Sequence, residues 1–165
     1  PVTPVPGIDD PTILCQANGI LNVGDEIRIY HGRWRNATVS GVDYYAEVAL
    51  ATLPRDRWGS LHVATGQAAG SVWSAPVTLP AGGCEIRVNA EGAGQLVIEL
   101  ADESGALLPE FSGENMGIVQ RATGVDHGVK FLNGALADLG GKTVRLKIGM
   151  TGESAKLYAV YLDGK

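Results

Sequence analysis

Cysteine, histidine, aromatic residues and long apolar runs are all scarce in this chain, and each scarcity removes a class of function. Cys15 and Cys84 are the only two cysteines in 165 residues, too few for a disulfide framework or a cysteine-rich zinc site. They could form one bridge; the commoner use of such residues is as two buried thiols on strands. His31, His62 and His127 each stand alone, with no His or Cys three to five residues away, so no metal-ligand spacing is present. Ten aromatic residues, 6% of the chain, cannot build the broad ring platform of a cellulose binder. No apolar run approaches the roughly 18 residues of a membrane helix. Thirteen basic residues are outnumbered by eighteen acidic ones, well mixed, for a net charge of −5. That excludes the concentrated basic face that nucleic acids or anionic membranes require, so neither partner is expected. No Gly-x-Ser-x-Gly elbow occurs, and no glycine-rich loop opens a helix on which a phosphate could sit.

What is abundant is glycine, 23 residues, alongside eight prolines, and a period of two. Cys84, Ile86 and Val88 alternate with Glu85, Arg87 and Asn89; Leu96, Ile98 and Leu100 alternate with Val97 and Glu99; Val144, Leu146, Ile148 and Met150 alternate with Arg145 and Lys147. Strands with one dry and one wet face produce this pattern. Glu91-Gly92-Ala93-Gly94 reads as a hairpin loop between the first two runs. Ile27 with Ile29, and Tyr44 with Ala46, Val48 and Leu50, mark earlier strands, and Val129 with Phe131 a later one. Leu157–Leu162 is apolar on both faces, which predicts a central strand covered on both sides. Pro76 inside Ser71–Leu79 predicts an edge strand or a bulge. The helical signal is confined to Gly134–Leu139, one short turn with Leu136 and Leu139 inward, ended by Gly140-Gly141. The class is all-β, an antiparallel sandwich by preference.

A boundary falls near Leu53–Ser60, where Pro54 blocks pairing and Arg55-Asp56-Arg57 is charged. Residues 1–53 carry three or four strands, 54–60 a linker, and 61–165 about eight strands, enough for a two-sheet sandwich. Three or four strands cannot hide their own apolar face. The first part must therefore lean on the sandwich or on a neighbour. The chain begins at Pro1 with no basic-then-apolar signal segment, so we expect a processed or excised portion of something longer.

Two stretches carry a family resemblance. Gly24-Asp25-Glu26-Ile27-Arg28-Ile29-Tyr30, followed by Ala49-Leu50-Ala51-Thr52-Leu53-Pro54-Arg55-Asp56-Arg57-Trp58-Gly59-Ser60-Leu61, resembles the end of the last blade and the exit linker of five-bladed β-propeller glycoside hydrolases of the invertase, inulinase and arabinanase-like type. Ala75-Pro76-Val77-Thr78-Leu79, Ile86-Arg87-Val88-Asn89-Ala90, Val97-Ile98-Glu99-Leu100, Pro109-Glu110-Phe111-Ser112, Gly140-Gly141-Lys142-Thr143-Val144-Arg145-Leu146-Lys147 and Leu157-Tyr158-Ala159-Val160 resemble the β-sandwich that follows it. The likeness spans most of residues 20–163 and rests on order and spacing. Asp56-Arg57-Trp58 departs from the Asp-Gly-Phe usual in such linkers. The resemblance implies an all-β, jelly-roll or concanavalin-like antiparallel β-sandwich with propeller-like N-terminal strands packed on it. It also implies a bacterial source and an extracellular or periplasmic location. The first four blades, and the carboxylates that carry family catalysis, are absent; Arg55-Asp56 does not match their catalytic Arg-Asp pair. The implied role is a non-catalytic accessory module serving structural support, carbohydrate binding or both, with the rest of a parent glycoside hydrolase or another protein chain as partner.

For carbohydrate binding, rings must cover sugar C–H faces while polar groups take the hydroxyls. Arg33, Trp34, Arg35 and Asn36 lie just past one strand and Tyr45 begins the next, so these five form the candidate patch. Trp58 and Trp73 read as packing residues, Trp58 as a pin after the linker. No cofactor is expected. Asp9-Asp10 and Asp102-Glu103 could donate oxygens to calcium, but solvated turn acids are the commoner use. Sugar hydrolysis would need two carboxylates about 5–10 Å apart across a cleft; Glu110 and Glu114, flanking Phe111-Ser112-Gly113, are the loop pair available to a small glycan hydrolase. Glu47 and Glu99 sit on wet strand faces. A protein-interaction domain using sheet edges or an apolar patch is the other alternative.

Overall fold

The computed structural model describes residues 12–35, 41, 45–119 and 124–164, with the side chains of 12–18, 33–35 and 45 left undescribed. The chain divides into two compact units between Arg55 and Asp56. Among the described residues there is no α-helix, and every strand pairing is antiparallel.

The first unit contains a meander of β1 (Thr12–Val23), β2 (Glu26–Arg35) and β3 (Tyr45–Pro54) in the order β1-β2-β3. Strand geometry sends alternate residues to opposite faces. One face carries Ile27, Ile29 and His31 of β2 opposite Leu53, Ala51 and Ala49 of β3; Ile27 and His31 are buried. The other carries Tyr30 opposite Leu50 and Gly32 opposite Val48, with Leu21 and Val23 of β1 opposite Arg28 and Glu26. Leu21, Val23, Tyr30, Leu50 and Val48 on this second face are all exposed, Val48 to 79%. The alternation expected through Ala46, Val48 and Leu50 is therefore present, with its apolar side outward; Tyr44 lies outside the described residues.

The second unit contains β4 (Leu61–His62), β5 (Ala69–Trp73), β6 (Val77–Thr78), β7 (Cys84–Glu91), β8 (Leu96–Asp102), β9 (Gly117–Val119), β10 (Gly124–Lys130), β11 (Thr143–Thr151) and β12 (Lys156–Gly164). They form one hydrogen-bonded path, β4-β12-β7-β10-β9-β8-β11-β5, with β6 also on β11. The path turns at β10, whose Gly124, His127 and Gly128 pair with β7 and whose Val129 and Lys130 pair with β9. The sheet thus curls into a nearly closed, barrel-like wall. Its interior is filled by the inward series read from the sequence: Ile86, Val88 and Ala90, then Leu96, Ile98 and Leu100, then Val144, Leu146, Ile148 and Met150, all buried. Each of these except Ala90 contributes about 1.5–3 kcal/mol. Leu79, Leu139, Phe111 and Phe131 belong to the same core.

Two local expectations change, and two hold. Residues 91–94 are not a hairpin loop, because β7 pairs with β10 and β12 while β8 pairs with β9 and β11. The segment instead links two non-adjacent strands, through a 3-10 turn at Ala93–Gln95 with Ala93 buried. Gly92 at φ 59° starts it, and a Cβ there would lie 2.6 Å from the Ser154 carbonyl oxygen, so only glycine fits. The apolar run at 157–162 is not a central strand along its length. β12 meets β4 only at Lys156 and Leu157, and beyond these its described neighbour is β7. The Pro76 region does behave as an edge, splitting into β5 and β6. Across the break the Ser74 hydroxyl accepts the Leu146 N–H at 2.9 Å, replacing one backbone acceptor of the ladder. The turn near Leu139 is a 3-10 turn, Leu136–Leu139, with Leu139 buried.

Candidate functional site

In the first unit, backbone register brings the candidate sugar patch to one end of the sheet. Arg35 is opposite Tyr45, Trp34 is opposite Ala46 and Thr12, and Arg33 is opposite Glu47 and Ile13. The side chains of Arg33, Trp34, Arg35 and Tyr45, and all of Asn36, lie outside the described residues. Trp34 sits on the middle strand of three, not beyond a strand end as the sequence suggests, because β2 continues through Arg35. Next to this end begins the exposed apolar face formed by Val48, Leu50, Tyr30, Leu21 and Val23.

In the second unit, the charged linker is a clamp. Arg57 is largely buried, its side chain 15% exposed, on the outer face of the β7–β12 pair. Its Nε donates to Asn89 Oδ1 at 3.0 Å, its Nη1 to Glu91 Oε1 at 2.6 Å and its Nη2 to the Gly124 carbonyl at 3.2 Å. The guanidinium also lies 4.5 Å from the Tyr158 ring centroid, a cation–π geometry. Asp56 adopts φ 58°, and its carboxylate accepts the Tyr161 hydroxyl at 2.6 Å. Lys156 and Arg57 share Glu91, and together with its other partners Lys156 holds the Glu91 carboxyl below its usual range. The sequence marks this segment only as charged. The signal pointing further is Asn89, a polar residue at an outward position yet fully buried, which requires a partner.

Beside it, Arg87 bridges Asp126, Glu85 and Asp163. On the opposite wall Lys147 donates to Glu99 at 2.8 Å and Gly113 N–H to the same carboxyl at 3.0 Å. Lys147 and then Gly113 keep Glu99 below the ordinary carboxyl range. The Lys147 ammonium is 5.9 Å from the Trp73 ring centroid.

Trp58 and Trp73 do not serve as core packing. They are 59% and 42% exposed, because Asp56 and Arg57 do the anchoring and Trp73 takes the outward position of edge strand β5. Asp102 is committed to its turn, accepting from the Ser104 hydroxyl and the Ala106 N–H, which lower its pKa in that order. Asp9-Asp10 lie outside the described residues. Among the described residues no three His, Cys, Asp or Glu are grouped to hold a metal ion. Cys84 is a free thiol, buried in β7; burial first and Asp163 second push its pKa up. His127 is buried, and among the described residues neither ring nitrogen has a hydrogen-bond partner.

Glu110 and Glu114 sit on successive 3-10 turns, Pro109–Phe111 and Gly113–Asn115. A surface cavity of about 320 Å³ lies nearby, lined by Glu114, Met116, Ile118, Lys130, Phe131 and Leu132. Glu110 is not part of its lining, so only one carboxylate faces it. Nothing in the sequence pattern marks this cavity: Ile118 belongs to a three-residue strand and Leu132 to a loop.

No family model, no curated protein and no solved structure matches the chain.

Proposed function

We propose that the chain is a non-catalytic accessory module of a glycoside-hydrolase-like protein that works in an extracellular or periplasmic setting. In this reading the nine-stranded unit is a jelly-roll, concanavalin-like sandwich folded about β10 that gives structural support. The three-stranded sheet acts as a terminal propeller blade whose apolar face docks on a neighbouring β-sheet of the parent. The observation that carries the reading is the outward ladder of Leu21, Val23, Tyr30, Val48 and Leu50 on one face of a three-stranded sheet. Such a ladder belongs against another apolar surface. The residue pattern of the linker and sandwich supplies the kind of parent. If the partner is a separate polypeptide, the same face makes the chain a protein-interaction domain, which is the alternative.

The test is to mix the chain with the separately produced catalytic portion of its parent and follow the pair by size-exclusion chromatography. A 1:1 complex is expected, lost on combining Val48→Lys with Leu50→Lys. No complex, or one indifferent to both charges, would overturn docking through this face. Release of reducing sugar from a polysaccharide panel by the chain alone would overturn its non-catalytic role.

A second reading, carbohydrate binding, is favoured by the register that gathers Arg33, Trp34, Arg35 and Tyr45 at one sheet end. Retention on a glycan array, abolished by Trp34→Ala, supports it; no retention removes it.

A further inference from the structure

We propose that edge strand β5 pairs antiparallel with β5 of a second copy of this chain, centred on Ser71, so that two copies form a two-fold symmetric dimer through one continuous sheet. The pairing lies in the second unit and does not use the docking face described above.

One side of β5 is taken by β11, and among the described residues no strand pairs with the other side. The register decides which backbone groups are left over. The Ser74 N–H donates to the Leu146 carbonyl at 2.8 Å, and the Gly152 N–H to the Ala68 carbonyl at 3.0 Å. An antiparallel ladder bonds alternate residues, so Ala68, Gly70, Val72 and Ser74 face β11. Ala69, Ser71 and Trp73 therefore turn their N–H and C=O groups to the open edge, and all three are exposed. The open row is bounded at both ends: the Gln67 N–H is committed to the Ala64 carbonyl at 2.9 Å, and Pro76 lies past Trp73. Sheets guard such edges with lysine, proline, a bulge or a very short strand. β4, at the other end of the path, is only two residues long. β5 has no such guard. Its five residues pair with β11 without a register shift, and no Asp, Glu, Lys or Arg occurs between Arg57 and Glu85.

The side chains select the occupant. Turned about a two-fold axis at Ser71, the strand sets Trp73 opposite Ala69 of the second copy and Ser71 opposite Ser71. The indole, 42% exposed, then covers the smallest side chain of the row, and Gly149 beside Ser71 leaves the neighbouring row low. The two central hydroxyls can bond each other. Ala69, Ser71 and Trp73 of both copies together make about six backbone hydrogen bonds. Lys147 lies one strand in from Trp73, and Thr151 one strand in from Ala69. The second copy's Thr151, not its Lys147, therefore shares the row with Lys147, and no like charges meet across the axis. A foreign strand with a bulky residue opposite Trp73 would lose this fit.

Sedimentation velocity of the full chain at rising concentration tests the pairing. A monomer–dimer equilibrium is expected, with a dissociation constant of about 10–100 µM for so short an interface. Ser71→Lys and Ser71→Glu, at an exposed outward position that leaves the fold intact, should each weaken self-association about tenfold by setting like charges opposite one another. An equimolar mixture of the two variants should recover the dimer, because opposite charges then meet at the axis. Trp73→Ala should weaken it about fivefold, whereas Val48→Lys combined with Leu50→Lys should leave it unchanged. A chain that stays monomeric throughout, self-association indifferent to Ser71→Lys, a mixture no better than either variant alone, or loss of the dimer with Val48→Lys and Leu50→Lys would each overturn the proposal.

Discussion

Replacing Arg57 by Ala tests whether the linker is clamped onto the second unit or merely lies against it. The guanidinium donates to Asn89, Glu91 and Gly124 and packs on Tyr158. The Glu91 contact contributes least, since that carboxylate is about one-third exposed and keeps Lys156; exposed pairs contribute about 0–1 kcal/mol. The Asn89 and Gly124 bonds come from a charged donor only 15% exposed, and each lies near the charge-assisted range of about 1.5 kcal/mol. The cation–π contact adds about 0.5–1 kcal/mol. Allowing for side-chain entropy regained on truncation, the expected loss is about 3 kcal/mol, or roughly 12 °C in Tm for a unit of this size. Arg57→Lys should recover less than half, because an ammonium cannot reproduce the three-way fork. Urea unfolding followed by circular dichroism on the full chain measures both. A loss below about 1 kcal/mol for Arg57→Ala would show that Arg57 is an ordinary solvated charge and refute the clamp.

His127→Leu should be neutral or stabilising by about 1 kcal/mol in the same assay, since it removes two buried unpartnered nitrogens at similar volume; a loss above 1 kcal/mol would mean the ring has a partner. Gly92→Ala should cost about 2 kcal/mol or more, from the left-handed φ and the Ser154 carbonyl, with a fall in the urea midpoint at unchanged slope as the readout. Glu91, Glu99 and Asp102 all have folded pKa values below their ordinary ones. Their stabilisation is complete above the unfolded carboxyl values near pH 4 and is lost as pH falls through the lower folded values. Stability should therefore be flat from pH 7 to 5 and decline below pH 4, and Glu99→Gln should shallow that decline; an unchanged acid limb would dissociate Glu99 from it.

The core was readable because alternation of Cys84–Val88, Leu96–Leu100 and Val144–Met150 has one physical cause, a strand with a dry side. How those strands connect was not. Gly92 meets the needs of a tight hairpin and of a connection between non-adjacent strands equally well, so local chemistry could not separate them. Trp73, between Val72 and Ser74, carries no directional signal, and its exposure depends on β5 being an edge strand. Arg57 looked like a solvated linker charge because its partners Asn89, Gly124 and Tyr158 are 32 or more residues away in sequence. The outward face of Val48 and Leu50 shows the same limit: alternation says that a face is apolar, not what meets it.

Calorimetric titration of the chain with the catalytic portion of the proposed glycoside-hydrolase-like parent, at several temperatures, tests the proposed docking face most directly. Five side chains, 38–79% exposed and each worth about 1.5–3 kcal/mol when fully buried, would supply about 5 kcal/mol of gross apolar stabilisation. The account predicts binding with a negative heat-capacity change that disappears when Val48→Lys and Leu50→Lys are combined. Binding with no heat-capacity change, or binding unaffected by those two lysines, would contradict it.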